Sequence, residues 1–314
     1  MPERELTMPE DRLIPKRPPE YIIYMNGRFV PQGEAMISVL DHGFMYGDGC
    51  FDAYCGKNGF IFMLEEHTDR LYRSIHALKL PVTLTKEEMN RAIVECVRRN
   101  GLLDFYIKVI VSRGASPEPV LDPRKCVEPM VVIYARQLMH ERDPKKVSGG
   151  IRLKISAFRR IPHDSLEPKI KTCNYLNHVL PKLEAWEAGY DDALMVDARG
   201  YVSEAAGYNI FAVTKGGLIT PVNNILEGIT RKAVEDIAKQ LGIPVQEGFF
   251  TPFDFYAADE VFLTNTVSGI TPVTQMDFWK IGSGETGPIT TKIQSRYYQM
   301  LETGEHGTPV YAKQ

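Results

Sequence analysis

Strand-turn-strand signals recur along this chain, and helical repeats interrupt them in both halves. No other feature constrains the fold as strongly. "YIIYMNGRFV" sets an Asn-Gly pair between two apolar runs, the mark of a tight hairpin. Lys57-Asn58-Gly59 is a second such turn. "LEEHTDRLYRSIHALKL" places Leu64, Leu71, Ile75 and Leu78 at roughly helical spacing, and "KEEMNRAIVECVRRNG" repeats the pattern and closes on Gly101, a fitting C-terminal cap. "DFYIKVIVSRG", "EPMVVIYARQ" and "IRLKISAFRR" read as strands. "DDALMVDARGYVSEAAGYNIFAVTKGGLITP" reads as successive strands turned at Gly200 and Gly216-Gly217. "GITRKAVEDIAKQLG" is a short helix with Ile229, Ala233, Val234, Ile237 and Leu241 apolar, and "EVFLTNTVSGITPV" a strand entering a loop. Hairpins mixed with helices in both halves predict two α+β domains.

The polar stretch "HERDPKKVSGG", with its proline and two glycines, is the best dividing point. The expected organisation is an arm over 1–20, a small domain over 21–140, a linker over 141–150 and a large domain over 151–314. Pro181 conflicts with the helix after "EPKIKTCNYLNHVLPKLEAW": either that helix starts late, near Asn177, or it bends.

With 314 residues, 44% of them hydrophobic, the chain has enough apolar material for about two domains. A net charge of −3 offers no basic field for nucleic acid. No apolar run approaches the ~18 residues of a membrane span, and the first residues lack the apolar centre of a secretory signal. Cys50, Cys55, Cys96, Cys126 and Cys173 are odd in number and form no CxxC pair, which suits a reducing cytoplasm; no metal site is expected.

Two lysines, Lys169 and Lys171, stand at the mouth of the helix after Glu167, where a lysine is ordinarily a solvated charge. Seven stretches decide between them: "DHGFMYGDG", "EEHTDRLYRS", "LDPRKC", "KTCNYLNHVL", "YVSEAAGYNIF", "ILEGITR" and "TNTVSGITPV". In that order, over about Tyr21 to Gln299, they resemble the class IV aminotransferases, the pyridoxal-phosphate enzymes of the branched-chain and D-amino-acid aminotransferase family. The resemblance implies a two-domain α+β fold of type IV with the active site between the domains, pyridoxal 5'-phosphate as cofactor, and a homodimer in which Tyr46 is the residue most readily lent to the neighbouring site. It selects Lys171, which heads the family's K-[ST]-x-N-Y-L stretch. A lysine there bonds to the cofactor aldehyde, is displaced by the incoming amine and then moves the Cα proton.

The resemblance also implies that Glu204 pairs with the ring nitrogen, that Arg70 and Thr266 hold the phosphate, that Tyr175 lies near the ring hydroxyl and that Leu226 packs on the ring. Gly228-Ile229-Thr230 opens a helix, whose free N–H groups favour an anion.

The match departs on the substrate side. Branched-chain enzymes carry F-E-G-[IV]-R after the glycine-rich turn; this chain has Phe51-Asp52-Ala53-Tyr54-Cys55. They carry Y-[IV]-R on the next long strand; here it is Tyr106-Ile107-Lys108, and a lysine keeps the charge but loses the bidentate fork. Their charged residue before Asn209 is Tyr208, closer to the (R)-selective amine transaminases. The arginine and histidine of D-amino-acid aminotransferases are absent from "SRGASPEPVLDP". The expected substrate residues are Tyr46, Phe51, Tyr106, Lys108, Tyr208 and Val267. The expected activity is transfer of an amino group from an amine or amino acid to pyruvate or 2-oxoglutarate, with weakened branched-chain turnover and measurable (R)-amine turnover. An ordinary branched-chain or D-amino-acid aminotransferase, a lyase resembling aminodeoxychorismate lyase and a non-catalytic cofactor-binding relative are the alternatives.

Overall fold

The computed structural model describes residues 20–138 and 149–311. The expected arm, apart from Glu20, and most of the expected linker lie outside the described residues. The first half forms β1 (Ile22–Met25), β2 (Arg28–Pro31), α1 (His42–Tyr46), β3 (Gly49–Lys57), β4 (Phe60–Phe62), α2 (Leu64–Ala77), α3 (Lys86–Arg99), β5 (Phe105–Ser112) and β6 (Met130–Gln137). The second forms β7 (Ile151–Ile155), α4 (Leu176–Glu187), β8 (Asp192–Val196), β9 (Val202–Ala205), β10 (Asn209–Thr214), β11 (Gly217–Pro221) and α5 (Ile229–Gln240). It continues with β12 (Val245–Gly248), α6 (Pro252–Tyr256), β13 (Glu260–Asn265), β14 (Gly269–Met276), β15 (Trp279–Lys280), α7 (Pro288–Thr303) and β16 (Gly307–Pro309).

Seven strands make an antiparallel sheet in the order β16-β4-β3-β5-β6-β1-β2. The other sheet runs β12-β11-β10-β13-β14-β7-β8-β9, with β15 on β14 and parallel pairs β11/β12, β14/β7 and β7/β8. The first hairpin turns on Asn26 and Gly27, with φ of 41° and 86°, the left-handed pair that an Asn-Gly turn supplies. α3 is closed at its start by a Thr85–Glu88 capping box. α4 begins at Leu176, close to the expected late start, yet Pro181 still lies inside it and deprives the Asn177 carbonyl of a partner. The last described strand returns to the first sheet, where Gly307 pairs with Phe62, so the expected large unit lends a strand to the other sheet.

Strand alternation positions the site. On one face of the first sheet Tyr54, Phe105, Ile107, Val109 and Ile133 pack on Leu71, Ile75, Met89 and Ile93 of α2 and α3. The opposite face carries Phe51, Ala53 and Cys55, in register with Ile110, Lys108 and Tyr106. That face turns to the second half of the chain: Cys55, Phe62 and Met63 share a core with Phe262, Tyr297 and Met300. The lysine segment is stitched to β3, because Phe51 N–H donates to the Lys171 carbonyl at 2.9 Å and Cys173 N–H to the Gly49 carbonyl at 2.8 Å.

Candidate active site

A cleft of about 410 Å³ opens between the two sheets. Arg70, Lys171, Tyr175, Glu204, Leu226, Gly228, Ile229, Thr230 and Thr266 all line it, so the residues expected around the cofactor converge in space. Tyr208 lines it too.

Lys171 occupies its centre. Its Nζ lies 3.2 Å from Tyr175 Oη and 4.7 Å from the centre of the Phe51 ring. Its backbone N–H donates to Ser74 Oγ at 3.2 Å, which ties it to α2. Tyr175 is held from both sides, edge-on to Phe51 with centroids 5.0 Å apart and stacked on His178 at 4.2 Å. Burial pushes the His178 imidazole well below its usual pKa, so the ring is neutral at neutral pH. Lys169 is turned away and meets Glu227 Oε1 at 3.1 Å.

At one end of the cleft sits Glu204, 3% exposed. Its Oε1 accepts from Arg160 Nε at 3.0 Å; its Oε2 accepts from the Leu226 N–H at 2.9 Å and Asn209 Nδ2 at 3.2 Å. Burial pushes its carboxyl pKa up, and Arg160 and the Leu226 N–H pull against that.

The other end is electropositive. Gly228 caps α5 without any side-chain acceptor, so the first N–H groups of the helix remain open to the cleft they line. A Cβ on Gly228 would stand 2.0 Å from Asn209 Oδ1, so the backbone passes where no side chain fits. Arg70 is buried beside it. Nε and Nη2 of Arg70 each donate to Asp52 at 2.8 Å, and Nη1 donates to the Glu227 carbonyl at 3.0 Å. Burial alone would raise the Asp52 pKa, but Arg70 and His67 outweigh it and hold the carboxyl well below the usual carboxylate range. This corrects one expectation. Asp52 belongs to the face of β3 away from Phe51 and orients Arg70; of "FDAYC" only Phe51, Ala53 and Cys55 face the cleft side.

A carboxylate at one end, an amine in the middle, and an arginine with a helix N-terminus at the other fit pyridoxal phosphate: a basic ring nitrogen, an aldehyde and a phosphate.

The expected substrate residues scatter more. Lys108 Nζ lies 4.4 Å from the Phe51 ring centre, so Lys108 and Lys171 flank one ring. Burial lowers the Lys108 pKa, and no carboxylate among the described residues pairs with it. Tyr106 stands 6.3 Å from Tyr134, centre to centre. Tyr208 is buried, its hydroxyl 3.3 Å from Ser268 Oγ. Val267 lines a neighbouring cavity. Tyr46 is exposed, edge-on to His42, and not part of the cleft wall.

Five residues of the site escaped the sequence reading: Asp52, Arg160, His178, Asn209 and Glu227. Asn209, His178 and Glu227 lie inside recognised motifs, so a signal for them existed. Arg160 ends a strand-like segment like any surface charge, and nothing local marks it.

The model of the family "Amino-transferase class IV" matches residues 49–276. The chain belongs to the class IV aminotransferases, which use pyridoxal phosphate. Among them it is branched-chain-aminotransferase-like. It is 43% identical over 277 residues to a putative branched-chain-amino-acid aminotransferase of Methanocaldococcus jannaschii, covering 88% of this chain and 94% of that one. The T.th. branched-chain amino acid aminotransferase, solved with pyridoxamine 5'-phosphate, superposes with a TM-score of 0.89 at 36% identity, over 93% of this chain and 99% of that one. The Escherichia coli branched-chain enzyme gives 0.90 at 30%, over 93% and 100%. The expected fold of type IV, the cofactor and the transaminase activity are thus borne out.

Proposed function

We propose that this transaminase moves the amino group of a carboxylate-bearing donor, a branched-chain L-amino acid, to a 2-keto acid such as 2-oxoglutarate. The observation that carries this is the pair Lys108 and Lys171 on one Phe51 ring. A half-buried ammonium that pairs with no carboxylate among the described residues, beside the reactive amine, favours an anionic group on the substrate.

Bound in the cleft, pyridoxal phosphate supplies an aldehyde for the amino nitrogen and a ring that accepts electrons from Cα. Lys171 would hold the cofactor through its amine and would carry the Cα proton. Tyr175, fixed by His178 and Phe51, steadies the amine. Glu204, whose anion Arg160 and the Leu226 N–H favour against burial, would pair with the ring nitrogen. Arg70, Thr266 and the start of α5 would hold the phosphate, and Leu226 would pack on the ring. Phe51, Lys108 and Tyr208 would meet the substrate beside Lys171.

A second reading, turnover of small (R)-amines, rests on Tyr208 and on the single point charge of Lys108. Giving up one bidentate pair to a charged group costs on the order of 1.5–3 kcal/mol, roughly ten- to a hundredfold in kcat/KM. The test is kcat/KM for L-leucine against (R)-1-phenylethylamine with 2-oxoglutarate. A higher value for leucine supports the first reading; a higher value for the amine replaces it.

The chain is read as a cytoplasmic homodimer. No helix among the described residues is long and apolar enough to cross a membrane. Met36, Val39, Phe44, Tyr46, Leu121 and Val127 are exposed on two segments, one including α1, bridged at Asp41 and Ala115, an apolar patch suited to a second copy. The domain division at 21–140 and 151–314 belongs to the same reading.

A further inference from the structure

Arg70 and Lys171 have to meet two parts of one small, stiff molecule. In pyridoxal phosphate the aldehyde and the phosphate arm stand on neighbouring carbons of a flat ring. The protein must therefore hold the groups that receive them at a set spacing. Arg70 belongs to α2 and Lys171 to the segment before α4, so no single element fixes that spacing.

One hydroxyl joins the two. Ser74 lies one turn after Arg70 on α2 and is 1% exposed. Its Oγ–H donates to the Arg70 carbonyl at 3.1 Å, and its Oγ accepts the Lys171 N–H at 3.2 Å. A serine has one proton to give, so the polarity of this bridge is fixed. A serine within a helix ordinarily turns back on the carbonyl four residues earlier and needs nothing more. Here the free lone pair reaches a residue 97 positions away in the chain, and no other acceptor takes that N–H among the described residues.

β3 makes a separate tie between the same pair. Phe51 N–H donates to the Lys171 carbonyl at 2.9 Å, and the carboxylate of Asp52, the next residue, accepts from Nε and Nη2 of Arg70 at 2.8 Å. Successive strand residues face opposite ways, so one short piece of strand serves both partners. Removing the Ser74 hydroxyl leaves this tie and the counter-charge of Arg70 in place.

We propose that Ser74 is a positioning residue that sets the spacing between Arg70 and Lys171. It thereby strengthens binding of the aldehyde form of the cofactor, gripped at both ends, over the amino form, which makes no bond to the lysine. The inference rests on the assignment of Lys171 and goes beyond the choice of substrate.

The test uses the full chain, freed of cofactor and titrated with pyridoxal 5'-phosphate or pyridoxamine 5'-phosphate. Ser74→Ala should weaken the aldehyde form by roughly three- to tenfold, as for loss of one neutral hydrogen bond, and the amino form by less than about twofold. Ser74→Cys, with a weaker acceptor, should fall between Ser74→Ala and the parent. In a Lys171→Ala background, Ser74→Ala should affect both forms alike, because the covalent end is gone. Equal weakening of both forms with Lys171 present, or weakening of the aldehyde form that persists in full without Lys171, overturns the proposal. If Lys171→Ala keeps the absorbance of covalently held cofactor, the lysine assignment falls and this inference with it. If that absorbance is lost and Ser74→Ala keeps the parent ratio of affinities, only this inference fails.

Discussion

Arg160 donates through Nε to Glu204 at 3.0 Å, with both side chains buried. The pair crosses from the segment after β7 to the end of β9, and in it Arg160 opposes the effect of burial on the carboxylate proposed to meet the ring nitrogen. Burial favours a neutral Glu204; Arg160 favours the anion. The arginine acts through the glutamate, as a positioning residue.

Arg160→Leu removes the main opposing influence, so the Glu204 pKa rises further and more of the enzyme carries a neutral carboxyl at neutral pH. Single-turnover transamination should slow by roughly ten- to a hundredfold, as for loss of one hydrogen bond to a charged group. The acid limb of the pH profile should move to higher pH, with partial recovery in Arg160→Lys. Glu204→Gln should bind cofactor and react as slowly, without that limb. A rate profile in Arg160→Leu that matches the parent enzyme excludes this role.

Asp52→Asn leaves the buried Arg70 without its counter-charge. Breaking such a pair costs on the order of 3–5 kcal/mol. The Asp52 pKa is depressed in the folded protein, so its contribution is fully present above the ordinary carboxylate value of ~3.9 and is lost as pH falls below it. Urea unfolding from pH 7 to pH 3 should show a gap between parent and variant that narrows below about pH 4. A gap independent of pH would contradict the pairing.

Lys171→Ala should lose turnover and the absorbance of covalently held cofactor. Lys169→Ala should keep both, because Lys169 Nζ meets Glu227 and not the cleft. An active Lys171→Ala enzyme with normal absorbance sinks the assignment.

Glu227, between the cleft-lining Leu226 and Gly228, draws together three cations. Its carboxylate meets Arg73 at 3.2 Å and Lys169 at 3.1 Å, and its carbonyl accepts from Arg70 at 3.0 Å. The carboxylate pairs are exposed and worth about 0–1 kcal/mol each. Glu227→Ala should therefore release cofactor faster by up to roughly tenfold at low salt. Salt should hasten release from the parent enzyme and barely affect the variant. Equal dialysis losses in both proteins at low salt would rule out the latch.

What was legible in the sequence is what local chemistry writes there. Asn26-Gly27 and Asn58-Gly59 turn hairpins because those residues tolerate left-handed backbone. Leu71 and Ile75 in α2, and Ile237 in α5, mark helices because a 3.6-residue period sends them to one face. The order of the motifs identified Lys171, Glu204, Arg70 and the start of α5 before any of them shared a cleft.

Tertiary structure alone decided their partners. Arg160 and Glu204 are 44 residues apart, and Arg70 and Asp52 are 18 apart on different elements. Nothing in either neighbourhood announces the pairing, since a charge destined for burial looks like any other charge until the chain closes around it. The turn of Asp52 away from the substrate follows from the register of β3, and a single pleat separates it from Ala53. Periods and turns are properties of a few adjacent residues, so sequence determines them; enclosed space and matched charge belong to segments that meet only in the folded chain.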